Sequence, residues 1–510
     1  MKRVDKSLKN LRYGVTYQAI DIVLKFAMRK AMVDMLGDAL VGLNGLFTEV
    51  LAMLSLAELG VGSAITYSLY KPLSEGNKEK VASLMLLFKR AYQIIALSIF
   101  GIGLILLPFI HLLVTKVDFD LGYIRLVYFL FLCSTASSYL FSYKSALLAA
   151  DQSAYKSTRI LIFAYIATVA IKTAILLLWK NFLLFLAADI VSKLVTNLFI
   201  SRAANRDYPH LKSDVPMPDK EERKVIFRNI KHLFIGRLSG KITNSTDNTL
   251  ISVLDSTLSV GFYSNYSMIF SSAKSFLLQL TTAASGSIGN LMLEESPQYC
   301  YTVLRRMTMM MFIPGAVISS VFFCELSPFI SVWLGAERVI GDAVVSVLVL
   351  NFLLYALREP LWQFMTVSGL FARDKNISII GTVANLVVSV ALGIPFGMLG
   401  IFIGTFVTLA LQYVLKARLL LKVRLSVPLG GFYLFTLCLL AAAAACAFFC
   451  KWLCSLLPLT GILGVIVGCA LTAAVTLGVI MAVFAKTDEM KYFRQTAAGA
   501  VKKIAGKLHR

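Results

Sequence analysis

The chain has 510 residues, of which 58% are hydrophobic and only 15% charged, with a mean hydropathy of +0.76. Soluble proteins carry ~25% charged residues, so a soluble enzyme is excluded; ordinary Gly and Pro contents and eight Cys also exclude collagen, disorder and a disulfide scaffold. Roughly 300 apolar residues, at ~20 per crossing, suffice for about fourteen membrane-spanning helices and leave no room for a large extramembrane domain.

In chain order, apolar segments fall near residues 15–36, 39–67, 84–114, 123–148, 157–179, 181–201, 229–254, 258–290, 307–324, 342–371, 376–395, 398–415, 428–453 and 459–485. If the N-terminus is cytoplasmic, the inward stretches hold 34 of the 50 Lys and Arg, among them Arg305, Arg306 and residues 416–424, and the outward loops hold four. That asymmetry predicts an all-α polytopic membrane protein with both termini inside. It also assigns most of the formal +22 charge to topology and to anionic inner-leaflet lipid, with no need for nucleic acid.

The longest polar stretch before the tail, residues 202–231, divides the spans. The predicted organisation is an N-terminal bundle of six spans (1–204), a cytoplasmic linker (205–228), a second bundle of six (229–424), two further spans (425–485) and a basic cytoplasmic tail (486–510). Residues 71–80 and the tail from Lys486 are predicted to lie on the membrane surface as amphipathic helices. The first apolar stretch, interrupted by Asp21, Lys25, Arg29 and Lys30 and lacking a small-residue cleavage site, is a retained span.

No enzyme chemistry is legible. The four His lack metal-ligand spacing, Cys-x-x-Cys does not occur, and Gly236-Arg-Leu-Ser-Gly240-Lys241 is one residue short of a phosphate-binding loop. Neither a metal nor a cofactor is predicted. Cys446, Cys450 and Cys454, four apart on one helix face, read as small-residue packing. The longest outward loop, 325–341, is too short for a membrane glycosyltransferase or polymerase.

Twelve Lys and Arg fall inside predicted spans, where each costs at least ~2.5 kcal/mol on insertion scales without a partner or water. Asp21, Lys25 and Arg29 are four apart and so share a helix face, as do Arg237 and Lys241 on the seventh span. Asp21–Lys25 and Asp189–Lys193 read as ion pairs. Lys25, Arg29, Arg237, Lys241, Lys274 and Arg358 are the candidates for a water-filled substrate cavity, with Asp21, Glu49, Asp247 and Glu359 as acids for ion coupling or charge pairing. Forked guanidinium donors match a diphosphate in particular.

Gly42-Leu-Asn-Gly-Leu-Phe-Thr-Glu-Val through Gly60-Val-Gly to Tyr70-Lys-Pro-Leu resembles the second-helix signature of bacterial oligosaccharide flippases of the polysaccharide transport branch. The resemblance continues in Tyr143-Lys-Ser through Asp151 to Tyr155, in Asp207-Tyr-Pro209, in Thr246-Asp247-Asn248, in Val260-Gly-Phe-Tyr to Tyr266, and in Ser287-Ile-Gly-Asn290. Pro395-Phe-Gly397-Met-Leu-Gly400 resembles a short outer turn of the wider superfamily of multidrug extruders and lipid II flippases. The resemblance spans essentially the whole chain. It implies two pseudo-symmetric six-helix bundles plus two C-terminal helices, alternating access, and location in the bacterial cytoplasmic membrane. The implied substrate is an undecaprenyl-diphosphate-type lipid-linked oligosaccharide flipped outward for capsule or O-antigen synthesis, with polysaccharide polymerase and glycosyltransferases as partners beside membrane lipids. In related lipid II flippases the second helix contributes cations, whereas here it carries Glu49 and Glu58. A drug or small-solute antiporter and a non-transporting scaffold of envelope synthesis are the alternatives.

Overall fold

The computed structural model describes residues 3–495 except 59–60, 140–141, 152, 213–214, 225, 228–229, 231–245, 283–287, 289–290, 293, 369 and 457–459. Its regular elements are all helical. They form two compact units, residues 1–264 and 265–510.

The first unit contains α1 (Arg3–Leu36), α2 (Asp38–Leu54), α3 (Val61–Ser74), α4 (Lys78–Leu106), α5 (Leu121–Tyr139), α6 (Ser142–Ala150), α7 (Ala154–Trp179), α8 (Phe182–Asp207) and α9 (Asp247–Leu254). In α2, Leu40, Leu43, Phe47 and Val50 recur at helical spacing and are buried. Its other face carries Gly42 and Gly45, whose missing side chains admit the backbone of Thr257 and the side chain of Ser264. Asn248 of α9 donates to the Gly45 carbonyl at 3.4 Å, and Ser252 donates to Leu113 O at 2.6 Å. These contacts hold residues up to 264 in the first unit. Packing therefore divides the chain later than the expected linker at 205–228.

The second unit contains the rest of α10 (Thr257–Thr282), then α11 (Pro297–Leu334), α12 (Asp342–Val367), α13 (Phe371–Leu419), α14 (Leu429–Ser455) and α15 (Gly461–Val483). The two additional helices, α14 and α15, are not an appendage. Phe432, Phe435, Leu439 and Cys446 of α14 and Ile480 of α15 share one buried cluster with Leu304, Met309 and Phe312 of α11 and Leu357 and Phe364 of α12. The cysteine stripe packs as expected, with Cys450 and Cys454 Sγ at 3.5–3.9 Å from Thr472.

Nine described segments are long and apolar enough to span a membrane. One of them, Arg373–Arg424, covers the expected eleventh and twelfth spans, because α13 bends at Gly397 (φ 55°, ψ −134°). The first span falls outside that set because α1 is charged, the second because it breaks into α2 and α3, and the seventh because only α9 of it is described; the eighth corresponds to α10. Side chains such as Leu97 (71% exposed), Phe163 and Leu463 face outward from the helices, as lipid-facing residues do.

Three expectations change. Residues 71–80 make no surface helix: α3 runs to Ser74, Gly76 turns at φ 69°, and Asn77 caps α4 through the Lys80 amide at 2.9 Å. The outward loop 325–341 shrinks to 335–341, because α11 continues to Leu334. Arg305 and Arg306, placed in a loop from sequence, lie on α11. In the tail, residues 488–495 are helical, with Met490 fully buried and Lys491 exposed.

Candidate functional site

In the first unit the stacked charges of α1 are largely answered. Lys25 Nζ lies 2.5 Å from Asp21, and its side chain is 49% exposed. Tyr165 of α7 also lies near Asp21. One helical turn on, the Arg29 Nη1 atom is buried with no hydrogen-bond partner. A second polar cluster joins α5, α7 and α8: Asp189 accepts from Lys172 at 2.6 Å and Lys193 at 2.8 Å, and from Ser134 at 3.0 Å. One carboxylate thus holds two lysines, where the sequence suggests one. Glu49 of α2 and Asp247, the first residue of α9, are half-buried.

Several residues that carry the family resemblance build a clasp at the ends of α6, α7 and α8. Lys144 donates to Ser201 at 2.6 Å and Asn205 at 3.0 Å, and Lys156 pairs with Asp207 at 2.5 Å. Burial, then the hydrogen bond and charge of Asp151, push the Tyr208 hydroxyl above the ordinary tyrosine value. The linker folds onto α4 as well, through Lys80–Glu222 and through Ser83 Oγ donating to Pro216 O at 2.8 Å. These motif residues join elements to one another.

The second unit brings cations and aromatic rings into a ladder. Tyr355, Arg358 and Trp362 are spaced i, i+3, i+7 on α12 and so share a face. Lys274 of α10 lies 5.4 Å from the Tyr355 ring centroid. Arg358 lies 5.5 Å from Tyr355 and 5.3 Å from Trp362, and Lys416 of α13 covers Trp362 at 3.5 Å. Lys416 is fully buried, 2.8 Å from Asp374 and 3.2 Å from Ser378. The Arg358 Nε is buried without a hydrogen-bond partner. Glu359, next in the chain, accepts from Gln363 at 2.8 Å. Ring faces stabilise cations by ~1–2 kcal/mol each when desolvated, so three positive groups can gather here with few carboxylates.

A groove of ≈ 810 Å³ lies in the same unit, walled by apolar residues of α10, α11 and α15, including Phe276, Met307, Met310, Val317 and Leu477. Arg306, stacked on Tyr492 at 4.8 Å, is its charged member. Next to it, Arg305 pairs with Glu489 of the tail at 2.9 Å. Among the described residues no set of three His, Cys, Asp or Glu gathers as a metal site.

Of the six cations expected at the site, Lys274 and Arg358 meet around Tyr355; Lys25 and Arg29 belong to the first unit; Arg237 and Lys241 lie outside the described residues. Sequence reasoning missed Lys416, counted with an inner loop, and Arg306, counted the same way. It also passed over Tyr355 and Trp362, whose spacing around Arg358 was the available signal.

No protein-family model and no curated protein sequence matches the chain. Solved structures do. The lipid II flippase MurJ in an inward closed conformation matches at a TM-score of 0.71 with 10% identity, covering 93% of this chain and 99% of that one. An inward-facing multidrug resistance MATE transporter of the MOP superfamily matches at 0.63 with 15% identity, over 82% and 98%. A MOP superfamily transporter from Pyrococcus furiosus matches at 0.57 with 15% identity, over 82% and 96%. The chain therefore has the multi-pass helical fold shared by lipid II flippase and MATE transporters of the MOP superfamily.

Proposed function

We propose that this protein is a flippase that moves a polyprenyl-diphosphate-linked oligosaccharide from the inner to the outer leaflet of the bacterial cytoplasmic membrane, by alternating access, for surface polysaccharide synthesis. The observation that carries the reading is the pairing, within one unit, of a cation–aromatic ladder with a long apolar groove. A lipid-linked sugar has two parts with opposite demands. Its diphosphate needs guanidinium and ammonium donors, which Lys274 and Arg358 supply. Its isoprenoid tail needs a methionine-rich apolar channel, which the groove supplies. Helix α10 serves both, with Lys274 in the ladder and Phe276 on the groove. Arg29, Arg237 and Lys241 are proposed as further phosphate contacts, and lipid II flippase activity in a protein of the same fold supports the substrate class.

The test is reconstitution into liposomes with a purified lipid-linked oligosaccharide, scoring outer-leaflet sugar by its accessibility to an added glycosidase. Arg358→Ala and Lys274→Ala are expected to slow flipping about tenfold or more, the value of a charged hydrogen bond, with Arg358→Lys intermediate. Full flipping by both alanine variants would overturn the ladder as phosphate site. Extrusion of cationic dyes with no flipping by the wild-type protein would instead establish the drug antiporter.

A further inference from the structure

Glu325 lies on α11 where that helix meets α14 and α15, and it is 7% exposed. Its carboxylate rests on Gly468 of α15, at a point where any β-carbon would strike it. The Cys454 thiol of α14 lies beside it in the same cavity wall. Beyond the carboxylate opens a cavity of ≈ 450 Å³, lined also by Ser331, Lys451, Cys454, Ser455 and Thr460. Ser455 ends α14 and Thr460 precedes α15, so the cavity reaches the end of the bundle that the basic-residue distribution assigns to the outer side.

The charged and titratable groups around Glu325 are few. Cys324 adjoins it on α11, Cys454 faces it from α14 with Cys450 behind, and Cys469 faces it from α15. Lys451 lines the same cavity but is directed to Asp342 at 3.8 Å and to the Phe323 ring at 4.8 Å. No ion pair of Glu325 occurs among the described residues. In this it differs from Asp21, Asp189 and Asp374, each held by lysine at 2.5–2.8 Å.

We infer that Glu325 is a proton-binding site reached through this cavity, and that a proton gradient acts on the protein here. A carboxylate anion inside a membrane helix without a counter-charge is costly. Taking one proton from cavity water onto a carboxylate oxygen relieves that cost, and returning it restores the anion. A sodium, calcium or magnesium ion would need a shell of several oxygens, whereas the groups next to this carboxylate are thiols and a glycine, and the hydroxyls of Ser331, Ser455 and Thr460 line the wider cavity. The groups that seat Glu325 lie on the two C-terminal helices, which gives α14 and α15 a task besides packing. The inference rests on the transport reading for its purpose in the cycle but not for its chemistry.

The experiment uses the full chain in proteoliposomes and dicyclohexylcarbodiimide, which modifies protonated carboxyl groups in apolar surroundings, with the modified residue mapped by mass spectrometry. Glu325 is expected to be modified, with the yield falling about tenfold or more as the bath is raised from about pH 5 to about pH 9. Glu325→Asp, which keeps a carboxyl group, should still react. Glu325→Gln should remove the proton-gradient dependence of lipid-linked oligosaccharide translocation while leaving downhill equilibration intact. A Glu325 that stays unmodified at every pH, or that reacts equally at all of them, overturns the site. Unchanged gradient dependence in Glu325→Gln overturns its coupling. Pure failure of flipping in every variant, with labelling as expected, refutes the flippase reading and leaves the proton site standing.

Discussion

At the scale of single residues, the membrane interior makes every charge a question of what answers it, and Lys416 shows how local that answer is. Its ammonium is fully buried, but Asp374, Ser378 and the Trp362 ring together replace the water it has lost. Removing one partner leaves the other charge uncompensated, which costs more than the pair contributes. Asp374→Asn is therefore expected to lower stability by about 3 kcal/mol, read as a drop in the melting temperature of the detergent-solubilised protein. The double change Asp374→Asn with Lys416→Met should recover most of it. A single change as stable as the wild type would mean that Lys416 is held by its hydroxyl and ring partners alone. Little of this was legible in the sequence. Asp21–Lys25 and Asp189–Lys193 could be read, because i, i+4 spacing puts both members on one helix face. Lys172–Asp189 and Lys416–Asp374 could not, since their partners come from different turns of the fold.

At the scale of elements, hydropathy located the helices well and their ends poorly. An apolar window stops where polar residues begin, but a helix does not. Hence α11 extends through Arg305 and Arg306 at one end and past Glu325 to Leu334 at the other, and α8 continues to Asp207. Breaks, by contrast, follow local chemistry. The Pro395–Gly400 turn expected from sequence is the bend in α13, and its centre requires glycine, since φ 55° with ψ −134° is a conformation other residues reach only under strain. Gly397→Ala is expected to destabilise the protein by about 1–3 kcal/mol, visible as earlier thermal aggregation in size-exclusion profiles. Gly14→Ala, on α1 with open space around its Cα, should leave the profile unchanged. If both variants behave like wild type, the bend is not set by Gly397.

At the scale of the whole molecule, residues 1–264 and 265–510 pack as separate units, and the polar linker lies inside the first of them. Covalent punctuation and packing boundaries differ because glycines on α2 let α9 and the start of α10 settle there. Orientation is a property of the chain in its bilayer and is tested directly. Reporter fusions after Val215 should report the cytoplasm, and fusions after Arg338, in the loop that follows α11, the outside; the reverse result would overturn the basic-residue assignment. By itself the sequence determined that this is a multi-pass helical protein and roughly where its helices lie, because hydropathy and helical periodicity are properties of neighbours along the chain. Only the tertiary structure decided which cations are neutralised, which stack on rings and which acid, Glu325, has no ion pair among the described residues. Those outcomes depend on distances between residues tens to hundreds of positions apart, across the bend of α13 in Lys416–Asp374 and between α4 and the linker in Lys80–Glu222, and electrostatics in a medium of low dielectric is decided at a few ångströms.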